Sequence, residues 1–398
     1  MRRLGGSVAL IVAGVAAAVI IAEAALRLLP GHPNFYVYNR YVGWTLNPGV
    51  SGWVHEEGRA WLAVNRDGFR GPAVTRAKPP GTLRVAVLGD SFTEAQQVPY
   101  AATFCAVMQH KLHECAAIGG RPVQVLDFGV DGYGTTQELI TMRRRVWRFH
   151  PDVIVLAFFA GNDPRNNTMA LEGDQCRPFF VDRDGSLVLG GPFVDSAWFR
   201  FQCLLRFESR RSRVIAALSA AKVVIRDYFR ARRKRSSPAG PVKGREPGIS
   251  DLVYKPPVSA AWQQAWKVTE GQIAMMHREA AAHHAAFILV TLTSGIQVYP
   301  NPAVRSHYMR YVGVSDLFYP EQRLRALGEC EHFAVLNLAE PMQQWADRQH
   351  AFLHGFRHTH MGNGHWNAAG HELGGTLMAQ AVCGLISKPA PAKTSPQP

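Results

Sequence analysis

The chain has 398 residues, 47% of them hydrophobic, with 44 Lys and Arg against 30 Asp and Glu for a formal charge of +14. That length suits one elaborated domain, or two, with enough apolar material to bury a full core. So large a positive charge favours anionic partners. No nucleic-acid motif accompanies it, which sets nucleic acid aside in favour of an anionic membrane surface or an acidic polysaccharide.

Residues 1–30 read MRRLGGSVALIVAGVAAAVIIAEAALRLLP. Arg2 and Arg3 precede an apolar run, Leu4 to Ala22, with no charge until Glu23. At about 1.5 Å per residue this run nearly crosses a hydrocarbon core of about 30 Å. The Arg pair predicts a cytoplasmic N-terminus. The competing reading is a cleaved signal peptide, with Ala22-Glu23-Ala24 resembling a cleavage site. The run is long for the apolar part of a signal peptide, which favours an uncleaved, single-pass anchor in the inner membrane. Both readings export the rest of the chain to the periplasmic or extracytoplasmic side. Six Cys in an exported chain permit disulfides. No CxxC or Cys/His metal spacing is present. Cys105 and Cys115 are expected on one helix, too far apart to bridge each other. Cys383 is expected as a buried thiol in the last helix.

Residues 31–80 form a lead-in rich in aromatic and turn residues, including NRDGFRGP, expected to lie against the main domain rather than stand alone. Arg84 to Leu88 is an apolar, β-branched run that predicts a buried strand. Gly89 permits a tight turn there, and Asp90, Ser91 and Thr93 follow. A small nucleophile in that position sits at the carboxyl edge of a sheet, where open α/β folds place their chemistry. Helices are expected over residues 100–115 and 135–149. Further strands are expected over Val123 to Phe128 and Asp152 to Phe159, followed by GVDGYG and AGND respectively. An insertion at about 170–257 carries a hairpin built around Asp184-Gly185. After it comes a strongly basic helix, Trp198 to Arg235, then a Pro/Gly/Ser linker. That helix reads as a solvated helix or as a contact for membrane or acidic polymer. A long helix over 259–284, strands at Ala286 to Leu292 and Phe333 to Leu338, and a last helix from Ala368 complete an alternation that argues for a parallel, doubly wound sheet.

Four short blocks recur along this frame: GDS at Gly89 to Ser91, Gly129-x-x-Gly132, GND at Gly161 to Asp163, and HWN at His365 to Asn367. In this order they resemble the SGNH, or GDSL-type, hydrolase superfamily, over roughly Pro79 to Ile386. The resemblance to its membrane-anchored bacterial members implies a three-layer, flavodoxin-like α/β fold with five parallel strands. It also implies Ser91 as nucleophile and His365 as general base. Ser91 N–H, Gly132 N–H and the Asn162 side chain would form an oxyanion hole, donors fixed where negative charge develops. No metal or cofactor is implied. Zinc at His358, His360 and His365 is set aside because no carboxylate accompanies them closely.

One position departs from the pattern. Related proteins usually carry an Asp two or three residues before the catalytic His, and here those positions hold Asn363 and Gly362. The acid normally fixes the imidazole tautomer and stabilises the imidazolium. Asn363 could orient His365 but carries no charge. The alternatives are a Ser–His dyad, a triad with its acid elsewhere, or a weakened enzyme. The expected activity is hydrolysis of O-acyl esters, O-acetyl esters among them, on glycans, lipids or small molecules through an acyl-serine. The alternatives are an O-acyltransferase acting on envelope or exported polysaccharide, or a catalytically weak protein of polysaccharide assembly or binding.

Overall fold

The computed structural model describes residues 2–28, 33–209, 211–215, 217–218, 221–222, 245–246, 248–357 and 359–387. Five apolar runs form one parallel sheet. β1 (Leu83–Gly89), β2 (Val123–Asp127), β3 (Val153–Phe158), β4 (Ala286–Thr291) and β5 (Ala334–Asn337) lie in the order β2-β1-β3-β4-β5. Every pairing is parallel. Successive side chains of a strand point to opposite faces. Along β1, Val85 and Val87 therefore pack in one layer with helices Phe104–Leu112 and Ala368–Ser387. Ala86 and Leu88 pack in the other, with helices Thr135–Arg144 and Ala260–Ala282. Burial of both faces explains why these strands read as unbroken apolar runs. The strand order reverses between β1 and β3, and open sheets of this kind bind ligands in the crevice beyond the carboxyl ends at that point.

The lead-in lies on this core as two antiparallel hairpins, Tyr36–Asn39 with Gly43–Leu46 and Ser51–Val54 with Ala60–Ala63. Phe69 enters the core against Phe128 and Phe149, with ring centroids 5.1 and 5.6 Å away. Its neighbour Arg70 is buried and donates to the carbonyls of Glu94 (2.7 Å) and Val98 (2.6 Å). The lead-in thereby clamps the segment that follows Ser91.

Two expectations are corrected. The stretch 100–115 is a 3-10 turn, Tyr100–Ala102, followed by the helix Phe104–Leu112. Cys115 falls beyond the helix end and pairs with Cys383, at a Cα separation of 5.9 Å. Cys383 is thus no free thiol, because the last helix packs in the same layer as the helix before Cys115. A second disulfide joins Cys176 and Cys203, while Cys105 and Cys330 are free.

In the insertion, the hairpin pairs Phe179–Arg183 with Ser186–Gly190 around Asp184-Gly185. The helix after it runs Ala197–Ser209. Residues 223–244, which include the end of the expected basic helix and most of the linker, lie outside the described residues. The first helix is Arg2–Arg27. Among the described residues, no helix is long and apolar enough to cross a membrane.

Candidate active site

The Ser91 side is built by the ends of β1 and β3. Gly89 closes β1 where no side chain fits: a Cβ there would lie 2.1 Å from Thr93 Oγ1 and 2.9 Å from the Ala157 carbonyl. The chain then turns into the short helix Ser91–Glu94, capped by Asp90, whose Oδ1 accepts from Phe92 N–H at 2.9 Å. Asp90 Oδ2 accepts from Asn162 Nδ2 at 2.8 Å. Burial pushes the Asp90 carboxyl up to about 6, against the opposing pull of these two bonds. One amide hydrogen of Asn162 is thus spent on fixing the side chain, and the other is left for a ligand. Ser91, Asn162 and His365 line one cavity of about 350 Å³ with Phe159, Ile249 and Glu246. Gly132 is not brought to that cavity. It lines another cavity, together with Asp131.

The base side is built from segments far from the sheet edge. Ser91 Oγ lies 2.8 Å from His365 Nε2. His365 Nδ1 lies 3.0 Å from Glu57 Oε1, and Glu57 Oε2 accepts from His365 N–H at 2.8 Å. With a carboxylate at Nδ1 the proton belongs there, which leaves Nε2 to accept from Ser91. Glu57 sits at the tip of the second lead-in hairpin, between Val54 and Ala60. Gly364 admits it: its φ is +82°, and a Cβ there would lie 2.6 Å from Glu57 Oε2. A second buried acid, Glu246, accepts from the N–H groups of Gly364 and Ile296, each at 3.1 Å. Burial pushes Glu246 up to about 7, although those amides favour its ionised form.

Electrostatics in the relay follow from this pairing. Burial disfavours the charged imidazole of His365, but the hydrogen bond and charge of Glu57, with Asp90 and Asp131 behind it, outweigh burial and raise its pKa. Burial likewise works against the Glu57 carboxylate, and His365 outweighs it, so that Glu57 titrates below its ordinary range.

Asn363 does not orient His365, contrary to the expectation from the sequence. Its side-chain oxygen is buried without a hydrogen-bond partner, and the position beside Nδ1 belongs to Glu57. Of the open alternatives, the structure takes the acid from elsewhere in the chain. No motif marked Glu57 beforehand. The available signal was indirect: two adjacent acids in a lead-in too short for a core of its own, which had to pack on something.

His354 and His371 hold structure. His354 Nδ1 donates to the Gly364 carbonyl at 2.6 Å and its Nε2 faces Thr293 Oγ1 at 2.8 Å. Burial takes its pKa down to about 4. His371 Nδ1 accepts from Phe104 N–H at 3.3 Å. His358 lies outside the described residues, so the set of His358, His360 and His365 is not complete among them. Among the described residues, no cluster of His, Cys, Asp and Glu could hold a metal ion.

A serine hydroxyl, a neutral imidazole accepting from it and a carboxylate on the far ring nitrogen together make an activated nucleophile. No family model and no curated protein matches this chain. Solved structures do. A GDSL-like lipase from Bacteroides thetaiotaomicron is similar at 11% identity, over 78% of this chain and 91% of that one, with a TM-score of 0.34. An acetylxylan esterase from Geobacillus stearothermophilus, solved as a catalytic mutant, is similar at 11% identity, over 77% and 95%, with a TM-score of 0.36. Another acetyl xylan esterase is similar at 13% identity, over 75% and 100%, with a TM-score of 0.37.

Proposed function

We propose that this chain is a serine esterase of the SGNH type, which hydrolyses O-acyl esters, O-acetyl esters among them, through an acyl-serine intermediate. His365 Nε2 takes the proton as Ser91 Oγ bonds to the ester carbonyl carbon. The same proton passes to the departing alcohol oxygen as the C–O bond breaks. Water then attacks the acyl-serine, His365 taking its proton and returning it to Ser91. Glu57 keeps the imidazole in the accepting tautomer and stabilises its protonated form. Ser91 N–H and the second amide hydrogen of Asn162 serve the oxyanion. One observation carries the reading: the unbroken chain from Ser91 Oγ to His365 (2.8 Å) to Glu57 (3.0 Å). The test is a fluorophosphonate probe, which reacts with activated serines. Wild type is expected to label and Ser91→Ala not to. Equal labelling of both overturns the assignment.

The same proposal places the catalytic domain on the extracytoplasmic side of the inner membrane, tethered by the first helix. Two disulfides support an oxidising compartment. The side chains of Leu10, Val15, Val19, Ile20 and Ile21 stand exposed on that helix, which suits an apolar surrounding. At its end, Glu23 accepts from Ser212 Oγ (2.7 Å) and from the N–H groups of Arg213 and Val214 (3.1 Å each). Residues inside the expected basic segment are thus docked where the chain would leave the membrane. Recovery of the intact chain in the soluble fraction, with residues 1–30 still attached, overturns the tether.

A further inference from the structure

A second cavity, of about 340 Å³, is lined by Asp131 and Gly132 in the loop that follows β2. Four segments wall it: the first lead-in hairpin (Tyr36, Tyr38, Trp44), the loop after β2 (Asp131, Gly132), the Arg177 stretch and the helix Ala197–Ser209, the last two joined by the Cys176–Cys203 disulfide. The polar atoms of its aromatic residues are already engaged. Tyr36 Oη donates to Glu94 at 2.9 Å, Tyr38 Oη to the Arg200 carbonyl at 3.3 Å and Trp44 Nε1 to the Asp131 carbonyl at 2.9 Å. What these residues offer a ligand is ring surface.

Arg177 differs. It is only 4% exposed and its guanidinium lies 4.7 Å from the centre of the Trp44 ring. Its Nε and Nη1 have no hydrogen-bond partner. The nearest carboxylate oxygen, on Glu172, is 3.8 Å from Nη1, an ion pair beyond hydrogen-bond range. Two acids line the cavity itself: Asp174, paired with Arg206 at 3.5 Å, and Asp131, whose carboxyl is held up by burial although it feels the Arg177 charge. A buried guanidinium with idle donors is costly unless something accepts from them. Its planar fork matches the two oxygens of a carboxylate or a phosphate.

We propose that this cavity is a binding subsite for an oxyanionic group, a carboxylate or a phosphate, on the alcohol part of the substrate, held by Arg177 with a ring or chain of that part against Trp44. The inference rests on the esterase reading for the word substrate, but the site itself can be measured without catalysis. Asp131 on its wall lies close enough to His365 for its charge to act on the imidazole, which sets the cavity on the side of the alcohol part of an ester bound at Ser91. The cavity would then select esters of acidic alcohols over esters of neutral ones.

The experiment is calorimetric titration of the full chain, as wild type, Ser91→Ala and Arg177→Gln, with glucuronate, glycerol 3-phosphate and glucose. Charge-assisted hydrogen bonds contribute enough for about a 10- to 100-fold preference. Glucuronate or glycerol 3-phosphate is expected to bind at least about tenfold more tightly than glucose, equally in wild type and Ser91→Ala. That preference is expected to vanish in Arg177→Gln. The tighter of the two anions tells carboxylate from phosphate. Equal binding of glucose, no binding of any of the three at millimolar concentration, or a preference that survives Arg177→Gln each overturns the proposal. Should Arg177→Gln fail to melt cooperatively, Arg177→Lys keeps the charge and removes the fork, and an unchanged preference in it is equally fatal. Because Ser91→Ala still binds, failure of the esterase reading shows in fluorophosphonate labelling and failure of this one in the titration.

Discussion

Ser91 and His365 are held by different kinds of structure. Ser91 and Asn162 stand at the ends of adjacent parallel strands, and their spacing is set by backbone ladders between β1 and β3. His365 stands in a loop before the last helix, and what fixes it comes from far away: Glu57, 308 positions earlier, and Glu246, 118 positions before Gly364. A sheet edge places its residues through hydrogen bonds that any sequence makes. A loop is placed only by the side chains that happen to reach it. The rigid half therefore tolerates change around it, whereas the loop half depends on single carboxylates.

The strongest way to break this contrast is Glu57→Gln. It keeps the shape and removes the charge. In serine proteases the corresponding Asp-to-Asn change, a well-known reference case, costs about 10⁴ in kcat, and a fall of that order bounds the expectation here. The pH profile supplies a second reading. Glu57 raises the His365 pKa above its ordinary value, and the base works only when neutral, so wild-type kcat/KM falls as pH drops through that raised value. Glu57→Gln removes the raising charge, so its acid limb moves to lower pH. An acid limb that stays in place would show that Glu57 does not act on the imidazole.

On the rigid side, Asn162→Ala removes one oxyanion donor, and a loss of about 10²–10³ in kcat is expected with KM little changed. Steady-state kinetics on a p-nitrophenyl ester measures it. A rise in KM with kcat intact would place Asn162 in ground-state binding instead.

Glu246→Gln sharpens the comparison within the loop half. The Gln oxygen can still accept from Gly364 and Ile296, so the loop keeps its anchor. The native carboxyl titrates at about 7. Below that pH, wild type and variant are both neutral there and equally active. Above it, a difference of less than about tenfold is expected, the scale of one hydrogen bond changing character. A large loss already at pH 6 would mean that the side-chain fit itself, not its charge, holds the loop.

The smallest effect is expected from Asn363→Asp. With Glu57 already on Nδ1, a second acid has no ring nitrogen to pair with, and kcat should change within about twofold. A rise of a hundredfold or more would show that Glu57 is not the working acid.

The sequence by itself determined the sheet and the rigid half of the site. Each of the five strands is a short apolar run ended by a turn signal, and burial on both faces leaves such a run no other use. Ser91, Asn162 and His365 were legible because each follows or precedes an element whose end is written locally, in Gly89, in Gly161 and in the cap of the last helix. Gly132 was legible as a turn, but which cavity it lines is set by contacts between distant segments. Only the tertiary structure decided the partner of His365 and the partner of Cys383. Both are pairings across some 270 to 310 positions, made when a hairpin tip or a helix end docks on the finished core. A carboxylate or thiol looks the same in sequence whether it faces solvent or a partner. The docking that distinguishes the two is a property of the assembled layers, and no local pattern encodes it.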